Sequence, residues 1–163
     1  MSITVRSAKT GDEATILGFI NELADYEKLS HEVVATTDHL SKTLFADQPK
    51  VFALIAERSG VAIGFALYFF SYSTFLGKHG IYLEDLYVQK NHRGGGAGKA
   101  LLSALAKVAV ENDCGRMEWS VLDWNAPSIA FYKSLDAEPM DGWTTFRLTG
   151  APLKALAAQN AGN

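Results

Sequence analysis

Two groups of residues in this chain have types and spacing that could do chemistry. The first is Arg93-Gly94-Gly95-Gly96-Ala97-Gly98-Lys99, set between an apolar stretch ending near Val88 and a helical pattern marked by Leu101, Leu102, Leu105, Val108 and Ala109. Glycine lets a backbone approach a ligand closely, and amides at a helix N-terminus point outward with the positive end of the helix dipole. Such a turn suits an anion, and phosphate is the natural guest. A glycine cluster alone would be a plain flexible turn; the flanking strand and helix give this one its weight. The second group is acidic. Glu84 and Asp85 interrupt the otherwise apolar run Ile81 to Val88, and Glu27 continues the apolar stripe Ile16, Ile20, Leu23. An unpaired carboxylate in an apolar setting is costly, so these positions imply a use. The plainer reading of Glu84 is an edge carboxylate paired with a lysine.

Two familiar phosphate loops do not fit the turn. For the pattern GxxxxGK[ST], Arg93 stands where the first glycine belongs, and Ala100 follows Lys99 in place of Ser or Thr. For GxGxxG, Lys99 occupies the third glycine position after Gly94 and Gly96.

The elements that must position these residues can be read along the chain. Ile3 to Ala8 forms an opening strand, and Thr10-Gly11-Asp12-Glu13 has the spacing of a capping box that starts a helix. A short helix spans Thr37 to Phe45, and Val51 to Glu57 is a strand. Ser59-Gly60 turns the chain into Val61 to Tyr72, which is apolar on both faces as a central strand should be. The glycine turn opens the amphipathic helix that ends near Asn112 to Gly115. A strand from Met117 to Val121, a helix from Pro127 through Tyr132, a closing strand from Trp143 to Leu148 and an Ala-rich helix after Pro152 complete the pattern.

Composition bounds the rest. The 163 residues, 48% hydrophobic and 20% charged, suit one soluble globular domain, residues 1–163. No run approaches the roughly 20 apolar residues of a membrane helix. The start lacks a basic, apolar leader and there is one cysteine, Cys114, so the expected setting is the cytosol without disulfides. With 15 Lys+Arg against 18 Asp+Glu, the net charge of −3 gives no footprint for nucleic acid and favours a cationic partner. The four histidines lack metal-ligand spacing, so no metal is expected, and Cys114 reads as a bystander thiol.

Arg93-x-x-Gly96-x-Gly98, preceded by a strand and followed by a long helix, resembles the acetyl-CoA pyrophosphate loop of the GNAT N-acetyltransferases. Tyr82-Leu83-Glu84-Asp85-Leu86-Tyr87-Val88 before it and Trp124-Asn125-Ala126-Pro127-Ser128-Ile129-Ala130-Phe131-Tyr132-Lys133 after it resemble the spermidine/spermine (diamine) and thialysine acetyltransferase branch. Leu23 to Glu27 and Phe70 to Phe75 fit that branch too. The resemblance covers roughly residues 3–148. It implies an α/β fold whose mixed sheet, flanked by helices, is splayed near its middle, with acetyl-CoA in the opening beside a bulged strand.

Acetyl transfer from a thioester to an amine needs a neutral nucleophile, a stabilised oxyanion and a proton for the departing thiolate. An alkylammonium of pKa about 10.4 is neutral only about once in ~2,500 molecules at pH 7, a handicap of roughly 4.6 kcal/mol. The resemblance gives the deprotonating role to Glu84, through a water, with Asp85 beside it on the other side of the strand. It gives the proton for the thiolate to Tyr132, whose plainer role is a core aromatic. Amides near Leu86 and Val88 would hold the acetyl carbonyl and pantetheine arm. Arg93 and the amides of Gly94, Gly96, Ala97, Gly98 and Lys99 would hold the pyrophosphate. Asn125 and Ser128 would contact the cofactor, or simply cap the helix carrying Tyr132. Tyr26 and Glu27 could grip a distal ammonium by cation–π contact and charge, or form a frayed helix end. Phe75, with Tyr72 and Glu32, could complete an acidic, aromatic slot.

The pattern departs from the branch at three places. Asp136 stands where glycine is common after the tyrosine helix, Phe75 replaces a tryptophan, and Lys78-His79-Gly80 is slightly longer. The expectation is an acetyl-CoA-dependent N-acetyltransferase acting on a small dicationic amine (polyamine, diamine, thialysine or lysine-like), by direct attack in a ternary complex. A homodimer follows the family habit. The rivals are a protein or peptide N-acetyltransferase and a non-catalytic acyl-CoA-binding regulatory module.

Overall fold

The computed structural model describes residues 2–160. The chain divides into two compact units, one running up to Leu122 and one beginning at Asp123. In the first, β1 (Ile3–Ser7), α1 (Glu13–Tyr26), α2 (Thr37–Leu44), β2 (Phe52–Arg58), β3 (Val61–Ser73), β4 (Lys78–Val88), α3 (Ala97–Glu111) and β5 (Met117–Trp119) follow one another. The second carries α4 (Ala126–Ser134) and α5 (Gly150–Ala158). No helix among the described residues is long and apolar enough to cross a membrane.

The sheet runs in chain order, β1-β2-β3-β4-β5, antiparallel up to β4 and parallel between β4 and β5. Short turns join β2 to β3 and β3 to β4, whereas β1 reaches β2 through the segment that carries α1 and α2. Ser59 and Gly60, both at positive φ (53° and 77°), make the two-residue hairpin between β2 and β3. The parallel pair needs a crossover, and α3 is it. Register sorts the side chains. Ile55 faces Phe65 across β2 and β3, and Phe65 faces Tyr87 across β3 and β4, so these share a face. There they form one core with Ile16 and Phe19 of α1 and Leu40 and Leu44 of α2. Phe19 stacks on Phe65 with ring centroids 5.8 Å apart. Leu54, Ala56 and Ala66 point to the opposite face and are buried as well, as are Leu101, Leu102 and Leu105 of α3, which packs on β2, β3 and β4. Truncating a ring as central as Phe65 costs about 3–5 kcal/mol.

Two local expectations are corrected. The capping box at Thr10 is not formed. Asp12 is the N-cap of α1, and its carboxylate instead takes two bonds from the Arg6 guanidinium (2.8 and 3.0 Å) and one from the Lys9 amide (2.8 Å). Arg6 also donates to Glu57 of β2, so a charged clamp fixes where α1 begins. A true capping box opens α2, between Thr36 and His39. The expected strand over Trp143 to Leu148 is also absent: those residues have no regular structure. Trp143 and Phe146 fall on opposite parities and are 80% and 92% exposed. No single buried face holds the segment as a strand.

Candidate active site

Three features of the first unit converge on the end of β4. The first is a bulge. Leu67 pairs with Asp85 and the next residue, Tyr68, pairs with Leu83, which leaves Glu84 as the extra residue. An extra residue bends its strand and re-aims the side chains after it. The second is a parting of strands. β4 pairs with β5 only from Ile81 to Leu83. Past the bulge, Glu84 to Val88 has strand geometry, and among the described residues no strand lies beside it on that side. The expected splay is therefore present, and its mouth starts at Glu84.

The acidic residues meet at this mouth. Asp85, paired with Leu67 on the face shared with Phe65 and Tyr87, points to the side covered by α1. Its carboxyl is pushed up to about 6, first by burial and then by the negative charges of Glu84 and Glu27. Glu27, the C-cap of α1, is itself shifted upward by burial. The stripe that runs off the end of α1 onto Glu27 thus delivers a carboxylate to the one on β4. Glu84 is exposed beside them. The carboxyl tuned toward neutrality is Asp85; residue type marks both Glu84 and Asp85 in the strand, but this tuning depends on the bulge and on a helix end far away in sequence.

The third feature is the glycine turn. Gly94 and Gly96 adopt left-handed φ of 80° and 90°, which side chains strongly disfavour. The first helical bond of α3 runs from the Ala100 amide to the Gly96 carbonyl (2.9 Å), leaving the amides of Ala97, Gly98 and Lys99 without an intrahelical acceptor. Arg93 locks the turn to β4: its Nε donates to the Val88 carbonyl at 2.9 Å. Its guanidinium lies 5.0 Å from the ring centre of Tyr26 and 5.5 Å from that of Tyr87. Tyr26 therefore already carries a cation–π partner from the chain itself. From the other side comes Arg58, the last residue of β2. A Cβ built on Gly95 would lie 2.2 Å from Arg58 Nη2, so the guanidinium occupies the space a side chain there would need.

The family model described as "Acetyltransferase (GNAT) family" matches residues 17–136, which reach into both units. The chain belongs to the GNAT acetyltransferase family. Thialysine N-epsilon-acetyltransferase of Sus scrofa is 37% identical to it, over 97% of this chain and 99% of the relative. L-ornithine N5-acetyltransferase of Arabidopsis thaliana is 32% identical, over 96% and 88%. An integron cassette protein from the mobile metagenome of V. cholerae superposes with a TM-score of 0.80 at 25% identity, covering 96% of this chain and 98% of that one. This GNAT chain is accordingly an acyltransferase with the mixed, splayed sheet flanked by helices.

The residues present fit a phosphate-bearing acyl donor. The turn offers open amides, and two buried nitrogens at it, Arg58 Nε and His92 Nδ1, have no hydrogen-bond partner. Buried polar atoms left so are the exception in folded proteins. The GNAT residues of the second unit are organised locally. Asn125 is buried and caps α4, its Oδ1 accepting the Ser128 amide at 3.4 Å. The ring of Tyr132 lies 5.7 Å from that of Phe131. After α4 the chain folds back, with Ala137 N donating to Tyr132 O (3.2 Å) and Asp136 N to Lys133 O (3.0 Å). Asp136, which stands where the branch commonly has glycine, sits at φ 64°, in the left-handed region. Phe75, expected at the amine slot, is fully exposed in the β3–β4 turn, and Tyr72 is 55% exposed.

Proposed function

We propose that this GNAT enzyme transfers the acetyl group of acetyl-CoA to the primary amine of a small substrate bearing a second positive charge, by direct attack in a ternary complex, with both units serving one domain. The observation that carries the reading is the carboxyl of Asp85, raised to about 6 among Glu84 and Glu27. Mutual repulsion of close carboxylates is relieved by a bound cation, so the cluster suits an ammonium. The names of the relatives, one for thialysine at Nε and one for L-ornithine at N5, describe side-chain nitrogens of diamino acids and point the same way.

Acetyl-CoA supplies an activated acyl thioester. The chain's own residues do the rest. The amides of Ala97, Gly98 and Lys99 bind phosphate oxygens, and the Leu86 backbone and Val88 amide, on the side of β4 that β5 leaves open, offer hydrogen bonds to the pantetheine arm and acetyl oxygen. Glu27 and Glu84 hold the cationic amine, and the Glu84–Asp85 pair accepts its proton. A base near 6 stands about two units closer to the amine than an ordinary aspartate, and so takes the proton more readily. Tyr132 Oη holds the proton that the leaving sulfur requires. Asn125 and Ser128 keep its helix in register. The lone cysteine is no acyl carrier, because burial and Asp113 push the Cys114 thiol up, away from the thiolate that covalent transfer needs.

Release of free coenzyme A thiol, measured over thialysine, ornithine, lysine, spermidine, putrescine and a neutral monoamine, tests this. Turnover should be confined to substrates with two cationic nitrogens and should fall by about 10²-fold or more in Tyr132→Phe. Equal turnover of the neutral monoamine would sink the acidic-slot reading.

A further inference from the structure

We propose that Arg58 is a phosphate-positioning residue of the glycine turn, and that Gly95 is glycine in order to seat it. The inference rests on the reading that this turn binds the phosphates of acetyl-CoA. Arg58 closes β2, far in sequence from the turn, yet its Nη2 and Cζ would lie 2.2 and 3.3 Å from a Cβ on Gly95. Its Nε is buried and has no hydrogen-bond partner, and Arg58 takes part in none of the ion pairs found among the described residues. A guanidinium carries five donors and never loses its charge. Held at a turn whose next amides are open, it lacks only an anion. Arg93, the arginine that the motif itself offers, is engaged with the Val88 carbonyl and the rings of Tyr26 and Tyr87. The work divides accordingly: Arg93 fastens the turn to β4, and Arg58 supplies the cation.

Gly95 strengthens the case because its φ is not in the left-handed region, unlike those of Gly94 and Gly96. The backbone would tolerate alanine at 95; only Arg58 stands in its way. Removing Arg58 and filling its seat are therefore two routes to one defect.

Calorimetric titration of coenzyme A, 3′-dephospho-coenzyme A and pantetheine into wild type, Arg58→Ala, Gly95→Ala and the double variant tests this without any turnover. A charge-assisted bond is worth about 1.5–3 kcal/mol, so Arg58→Ala should weaken coenzyme A about 10-fold or more while leaving pantetheine unchanged. Gly95→Ala should weaken it comparably, and the double variant should bind no worse than Arg58→Ala alone. Loss shared by coenzyme A and its dephospho form assigns Arg58 to the pyrophosphate; loss confined to coenzyme A assigns it to the 3′-phosphate. Wild-type affinity in Arg58→Ala, or strictly additive losses in the double variant, overturns the proposal. If Arg58→Ala does not fold, undiminished binding by Gly95→Ala overturns it equally. Failure of wild type to bind coenzyme A would refute the underlying reading of the turn instead.

Discussion

The guanidinium of Arg93 lies over the ring of Tyr26, 5.0 Å from its centre, so the end of α1 and the glycine turn are tied to each other. Under the proposed function, this contact would place Tyr26 on the cofactor side of the site. Tyr26→Ala should raise the KM for acetyl-CoA several-fold and change the KM of the amine little. Bisubstrate kinetics separate the two, and a rise confined to the amine would return Tyr26 to the role of ammonium grip.

The pH dependence should follow Asp85. With its carboxyl at about 6, kcat/KM should fall as pH drops through that value. Asp85→Asn should cost about 10²-fold or more. Glu84→Gln removes a like charge that raises Asp85, so it should move the acidic limb toward lower pH. A limb that stays in place in Glu84→Gln would show that the charge of Glu84 does not raise Asp85.

Stability should carry the same signature. The Asp85 carboxyl has its ordinary value of 3.8 when unfolded and about 6 when folded, so protonation favours the fold. That contribution is complete below the unfolded value and is lost as pH rises through 6. Asp85→Asn, neutral at every pH, should melt about 3–6 °C above wild type near pH 8, allowing for partial screening by solvent. The gain should disappear near pH 4. Thermal melts at both values check the sign.

Asp136 occupies the left-handed residue after α4, with Ala137 and Asp136 amides bonded back to Tyr132 and Lys133. Glycine pays no steric penalty there. Asp136→Gly should stabilise the protein by about 0.5–1 kcal/mol, a rise of roughly 1–4 °C in Tm. A fall would mean that the aspartate side chain makes a contact worth more than its strain.

What the sequence made legible was local. The glycine turn, the helix behind it and the two-residue turn at Ser59-Gly60 depend on near neighbours, and each was readable from residue type. The capping box at Thr10 misled because Asp12 has a stronger partner, Arg6 on β1, that spacing along the chain does not reveal. The tuning of Asp85 and the place of Arg58 were hidden for the same reason. One takes its character from a bulge and from the far end of α1, the other from a turn beyond two intervening strands. A bulge leaves no mark in a strand pattern when the extra residue is itself polar, as Glu84 is. Trp143 to Leu148 misled in the opposite direction, since β-prone composition forms no strand without a partner.

The parting of β4 from β5 after Leu83 reaches beyond catalysis. A strand stretch without a neighbour is a template for another chain and a route to aggregation. Here that ladder lies within the sheet, where charge and proline at the margins cannot guard it, and under the proposed function the amide-bearing arm of the acyl donor would take the place of the missing strand. Occupancy would then protect the protein's colloidal state as well as supply its chemistry. Ligand-free preparations should be the ones that self-associate on storage.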